Sequence, residues 1–146
     1  MIGPDTVVAQ ARRWIGTPYR HQCSMRAAGC DCLGLICGIW RALYGDLPEQ
    51  VPAYTPDWAE ASGEERLWRA ARRHLIPVQD APAPGQVLLF QMRRGAVAKH
   101  LGIVSRDGPA PAFIHAYSGH GVVESPLSRP WRDKIVAQFI FPQGAV

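Results

Sequence analysis

Gly29-Cys30-Asp31-Cys32-Leu33-Gly34-Leu35, running straight into Ile36-Cys37-Gly38-Ile39-Trp40, is the stretch on which the reading of this chain turns. A cysteine stands at the mouth of a long apolar helix. Asp31 can cap that helix, Leu33, Ile36, Ile39, Trp40 and Leu43 supply its buried face, and Gly45 ends it. A helix that is apolar on more than one side belongs at the centre of a fold. A thiol at its N-terminus meets unpaired backbone N–H groups and the positive end of the helix dipole. Both stabilise a thiolate and should lower a pKa that for free cysteine lies near ~8.5.

Upstream, Val7, Val8, Ala11, Trp14 and Ile15 recur at helical spacing, with Pro4 suited to the first turn and Gly16 and Pro18 closing the segment. The stretch from Thr17 to Cys30 reads as an irregular loop. Downstream, residues 46–57 carry Pro48, Pro52 and Pro56 and read as extended chain, after which Leu67, Trp68, Ala71 and Leu75 mark a third helix, with Ser62 and Glu65 in capping-box register. From there the period changes to two. Val87 to Phe90, His100 to Val104, Phe113 to Tyr117, Val122 to Glu124 and Ile135 to Phe141 are short apolar or alternating runs separated by turn residues. Helices first and strands later predict an α+β domain, N-terminal helices packed on a five- to six-stranded antiparallel sheet. The 146 residues, 47% apolar and 19% charged, suit a single domain spanning 1–146.

Two strand histidines complete the constellation that Cys32 begins. Alternation puts His100 with Gly102 and Val104, and His115 with Phe113 and Tyr117, so both imidazoles can face the same side of the sheet. In a Cys32-His100-His115 line, His100 would take the thiol proton as base. His115 would accept a hydrogen bond from the far ring nitrogen and hold the tautomer. His74 falls in the third helix as a surface or capping residue, His120 sits in a Gly-rich turn near His115 as a candidate to line the pocket, and His21 has no assigned role.

The other functional classes fit less well. Cysteines 23, 30, 32 and 37 crowd into fifteen residues, where disulfides would close only small loops, and their Cys-x6-Cys-x-Cys-x4-Cys spacing lacks a zinc knuckle. No metal and no cofactor is expected, and Cys23, Cys30 and Cys37 read as small buried residues. The net charge of +4 and pI near 9.1 come from scattered arginines with no basic block, which disfavours nucleic acid as a partner. The opening residues lack the basic patch and apolar run of an export signal, and no apolar run reaches membrane-spanning length, so a soluble chain without membrane insertion is expected.

In series, Trp14-Ile15-Gly16-Thr17-Pro18-Tyr19, Asp31-Cys32-Leu33-Gly34-Leu35, Gly85-Gln86-Val87-Leu88-Leu89-Phe90, Lys99-His100-Leu101-Gly102-Ile103 and Phe113-Ile114-His115-Ala116 resemble the NlpC-type cell-wall peptidases. These are papain-like cysteine peptidases of bacteria and their phages, and the likeness covers nearly the whole chain. It implies a papain-like fold and hydrolysis of a peptidoglycan stem-peptide bond, typically between γ-D-glutamate and the following diamino acid. It makes Cys32 the nucleophile, His100 the base and His115 its orienter. Tyr19 would stand near the thiol and help the oxyanion, and Asp31 and Leu33 would flank the substrate. Leu33 stands where many members carry Ser, and Gln86 where an acidic residue is usual. The Leu-containing motif, the Pro-rich segment and Trp58 look more like the variant of phage tails and gene transfer agent particles. That implies tail or baseplate partners, assembly in the cytoplasm without a signal peptide, and action in the periplasm of a target cell as part of a virion-like particle. Leu47 to Trp58 and Phe139 to Val146 are the candidate docking segments. A non-catalytic wall-binding or structural tail module, or an amidase or acyltransferase on the same scaffold, are the alternative readings.

Overall fold

The computed structural model describes residues 2–56, 58 and 63–143. Its organising element is α2 (Cys32–Tyr44), whose N-cap Asp31 is extended and accepts the Gly34 N–H at 2.8 Å, satisfying one donor that the first turn would leave unpaired. Gly45, at φ +95°, ends the helix in a conformation that costs a residue without Cβ little. Leu35 and Ile39 are wholly buried between α2 and the sheet.

Helix α1 (Pro4–Arg12) begins on a proline and packs beside α2. The expected extension of this helix to Gly16 is not seen. Turns from Trp14 N–H to Ala11 O and from Thr17 N–H to Trp14 O carry the chain onward, burying Trp14 and leaving Ile15 at the surface. Trp14 settles over Gly38, where a Cβ would come within 2.0 Å of the indole. The expected irregular loop from 17 to 30 holds a short antiparallel ribbon, β1 (Ser24–Met25) and β2 (Gly29–Cys30). Helix α3 (Arg66–His74) has Glu65 as its N-cap residue, one half of the expected capping box with Ser62. Ser62 lies outside the described residues, and the Glu65 carboxylate accepts the Ala98 N–H at 2.9 Å, tying α3 to the approach to the sheet.

The sheet contains β3 (Ile76–Val78), β4 (Val87–Phe90), β5 (His100–Arg106), β6 (Ala112–Tyr117), β7 (Gly121–Pro126) and β8 (Ile135–Ile140), in the spatial order β3-β8-β4-β5-β6-β7. Every pairing is antiparallel. The expected α+β class is present, and the antiparallel sheet, expected to have five to six strands, has six. Edge strand β3 was not legible as a strand, because Pro77 offers no N–H to a ladder.

Both faces of the sheet are covered. Leu89, Leu101, Ile103, Ile114 and Ala116 join the core under α1 and α2, while Leu88, Phe90, Val104, Phe113 and Leu127 form a second cluster on the opposite face. Trp131, on the single turn α4 (Arg129–Arg132) between β7 and β8, packs onto that second cluster. Strand β4 is therefore buried on both sides, which explains its unbroken apolar run. No helix among the described residues is long and apolar enough to cross a membrane.

Candidate functional site

Cys32 is the first residue of α2 and its side chain is buried. The thiol meets the sheet at the start of β5, where Sγ donates to the Lys99 carbonyl at 3.7 Å. Backbone N–H groups of Leu101, Leu33 and Cys32 favour the thiolate, but burial dominates and the Asp31 carboxylate adds to it, so the thiol is pushed up to about 12. The expected lowering by the helix terminus is thus overturned. Desolvation beside a fixed negative charge outweighs the backbone donors at the helix start.

Asp31 is nearly inaccessible. One oxygen accepts the Gly34 N–H at 2.8 Å, and the other accepts the Gln22 N–H at 2.8 Å and the Tyr54 hydroxyl. His21 Nδ1 stands 3.7 Å from the same oxygen, and its Nε2 lies 2.9 Å from the Tyr54 carbonyl. The Pro-rich segment is therefore anchored at Tyr54, whose ring stacks on Trp58 at 4.2 Å, and both rings are buried. Burial, followed by the bonded and charged Asp31, pushes the Tyr54 phenol far above its ordinary range. These two aromatics are unavailable as an exposed docking surface. At the other candidate docking segment, Phe139 and Phe141 are buried, and residues 144–146 lie outside the described residues.

The imidazoles of His100 and His115 lie together among the rings of Phe90, Phe113, Tyr117 and Trp131. His100 Nε2 and His115 Nδ1 are 2.8 Å apart, and His115 Nε2 is 2.9 Å from Ser125 Oγ. Gly102 makes room for this arrangement, since a Cβ there would stand 2.8 Å from the Phe113 ring and 3.4 Å from His115 Cβ. Trp131 closes the site, with ring centroids 5.6 Å from His100 and 5.0 Å from His115. Enclosure of this kind disfavours imidazolium. Burial first, then the charge of His115, lowers His100 to about 3; burial, then His120, lowers His115 to about 4. Both rings are therefore neutral at physiological pH. Nε2 of His100 is engaged, which leaves Nδ1 as the nitrogen able to receive a proton. Among the described residues the thiol hydrogen bond goes to the Lys99 carbonyl and not to this ring.

Tyr19 forms an isolated parallel bridge with Cys30, and the adjoining loop is locked to β7 by Gly16 N–H to Val122 O and Val122 N–H to Thr17 O. Burial raises its phenol to about 12, with further contributions from Cys32, Asp31 and Cys30, so the hydroxyl is in electrostatic reach of the thiol and stays protonated. His120, on the exposed turn before β7, stacks on Tyr117 at 5.2 Å. His74 ends α3 and lies 2.6 Å from Glu49. Cys30 is buried as expected, while Cys23 and Cys37 are only half-buried, and all four thiols are free. A cavity of about 330 Å³ lies alongside, between α2, α3 and the Pro-rich segment, with Leu33 and Leu101 in its wall. These two residues directly follow Cys32 and His100, so the cavity borders the thiol without including it. Sequence reasoning missed Ser125, Tyr54 and Trp131, whose roles depend on pairings that no local pattern announces.

Chemically, the arrangement offers a thiol at a helix start, backbone donors beside it, and a neutral imidazole held by a second ring. No family model and no curated protein matches the chain. Solved structures do. A Staphylococcus aureus subsp. aureus Mu50 protein described as similar to a lipoprotein of the NLP/P60 family superposes with a TM-score of 0.62 at 18% identity, over 97% of this chain and 42% of that one. The NlpC/p60 domain of the peptidoglycan hydrolase SagA gives 0.58 at 21% identity, over 94% and 98% of the two chains. Ly7917 gives 0.59 at 14% identity, over 96% and 63%. The chain thus spans less than half of the first of these proteins and nearly all of the SagA domain. Helices and sheet together have the fold of the NlpC/P60 structures.

Proposed function

We propose that the chain is a cysteine peptidase that cleaves a peptidoglycan stem peptide, with Cys32 as nucleophile, His100 as general base and His115 as its orienter. The observation that carries this reading is the 2.8 Å contact of His100 Nε2 with His115 Nδ1 on strands that adjoin the buried thiol of α2. Ly7917, which shares the fold, has been crystallised with a hydrolysis product of MDP, and SagA is a peptidoglycan hydrolase.

Both reactive groups are neutral at rest, so attack and deprotonation are coupled. On substrate binding the thiol turns from the Lys99 carbonyl toward His100 Nδ1. The sulfur adds to the peptide carbonyl carbon as its proton passes to Nδ1. The oxyanion is met by backbone N–H groups at the start of α2 and by the Tyr19 hydroxyl. His100 then returns the proton to the leaving amine, giving a thioester and a free amino terminus, and water activated by the same nitrogen releases the acid. At physiological pH His100 is in the unprotonated state that a base requires, and the burial that keeps it so also weakens it as a proton acceptor.

The bond proposed is that between γ-D-glutamate and the following diamino acid, and delivery is proposed to be by a phage-like tail or baseplate acting on the wall of a target cell. Both rest on the resemblance of the motifs. Incubation with purified peptidoglycan and mass analysis of the fragments tests the chemistry. New amino termini at the diamino acid, absent with Cys32→Ala, are expected, and intact stem peptides with the wild-type chain would refute the reading. Purified particles should carry the chain at fixed low copy number; its presence only as free protein would refute the delivery role.

A further inference from the structure

We infer that Ser125 is a positioning residue, the last member of a hydrogen-bonded line that sets the tautomers of both histidines. The assignment rests on the hydrolase reading for its functional meaning, and on geometry for its content. His115 is fully buried at the centre of β6, with one ring nitrogen on His100 and the other on Ser125 Oγ at 2.9 Å. Ser125 pairs across the sheet with Phe113, and His115 with Val123, so the hydroxyl reaches the imidazole on the diagonal of one face.

A neutral imidazole carries a single N–H, which makes the line directional. For His100 Nδ1 to receive the thiol proton, the His100 proton must sit on Nε2 and be donated to His115 Nδ1. His115 then carries its own proton on Nε2, which is donated to Ser125 Oγ. In the reverse direction the serine hydroxyl donates to His115 Nε2, His115 donates from Nδ1 to His100 Nε2, and His100 is left with its proton on Nδ1. That is a donor where a base is needed. Ser125 is half-buried, so its own proton can go to solvent while its oxygen accepts from His115. The hydroxyl at this position selects the competent direction, and no proton has to move along the line when His100 becomes cationic.

The test is nitrogen-detected long-range NMR of histidine-labelled protein, which reads the protonated ring nitrogen directly. His115 is expected as the Nε2–H form in the wild type and in Ser125→Thr, and with a large Nδ1–H population in Ser125→Ala. Activity on peptidoglycan fragments should fall about tenfold in Ser125→Ala, through kcat with KM unchanged, and recover in Ser125→Thr, the size expected for one neutral hydrogen bond. An unchanged His115 tautomer in folded Ser125→Ala would overturn the assignment. Expected tautomers in a wild-type chain that cleaves nothing would instead sink the hydrolase reading and leave the role of Ser125 standing.

Discussion

Acid should unfold this protein through its two buried histidines before it touches the carboxylates. His100 is held at about 3 and His115 at about 4, in each case chiefly by burial, against an ordinary value of 6.5. Because the folded values lie below the unfolded one, the unfolded chain binds more protons as pH falls. Stability is fully present above ~6.5 and is lost progressively down to the folded values. Each pH unit in that window removes about 1.4 kcal/mol per histidine. Between pH 7.5 and 5.0 only the last ~1.5 units count, which is about 2 kcal/mol per ring and about 4 for the pair. That is a large share of the roughly 5–15 kcal/mol that holds a domain together. The depressed carboxyls of Glu49 and Glu124 lie below 4.5 and do not act in this range. Urea unfolding followed by tryptophan fluorescence at the two pH values measures the difference directly, beside a His100→Asn/His115→Gln double variant. The wild type should lose about 4 kcal/mol and the double variant less than ~1 of it. Equal losses in both proteins would refute the claim that these rings are buried neutral.

Three further outcomes are expected. If His115 accepts a hydrogen bond and transfers no proton, peptidoglycan cleavage should survive His115→Asn or His115→Gln far better than His115→Ala, while any change at His100 is severe; equal losses across the His115 series would show a different role. Gly34→Ala would push a Cβ to 1.9 Å from the Cys23 carbonyl oxygen, and should cost about 1–3 kcal/mol in thermal or urea melts together with most turnover, because the shift displaces the first turn of α2. Tyr54→Phe removes a hydroxyl donor from buried Asp31 and should destabilise the chain by about 1.5–3 kcal/mol in the same melts; a neutral result would mean that the contact does not hold the Pro-rich segment in solution.

What could be read in advance was local. Asp31 and Gly45 bracket α2 with their own chemistry, and the apolar run between them has a helical period. Alternation through residues 100–104 and 113–117 predicts which strand residues share a face, and the side chains of His100 and His115 do meet there. Features that depend on distant partners were not legible. Ser125 is one serine among strand residues until β6 and β7 pair, and Tyr54 is one aromatic in a Pro-rich stretch until it reaches Asp31 across twenty-three positions. Trp131 rides on a single helical turn too short to show a period. Helix α1 misled because Trp14 continues its apolar spacing through turns that are no longer helical, and Ile15 extends the pattern while pointing outward. The direction of the thiol shift needed burial and the Asp31 carboxylate to be weighed against the dipole, and only packing supplies the first.

The place of β8 between β3 and β4 bears on how the protein comes into being. Residues 76–78 have no sheet partner until residues 138–140 arrive, and the outer edge of β4 stays open until the same strand docks. During synthesis the hairpins that carry the histidines can close by themselves, whereas the seam beside them waits for β8. Pairings of such wide sequence separation form slowly and leave an unsatisfied strand edge in the interim. On the ribosome this chain passes through a stage with Cys32 already made and its scaffold still divided.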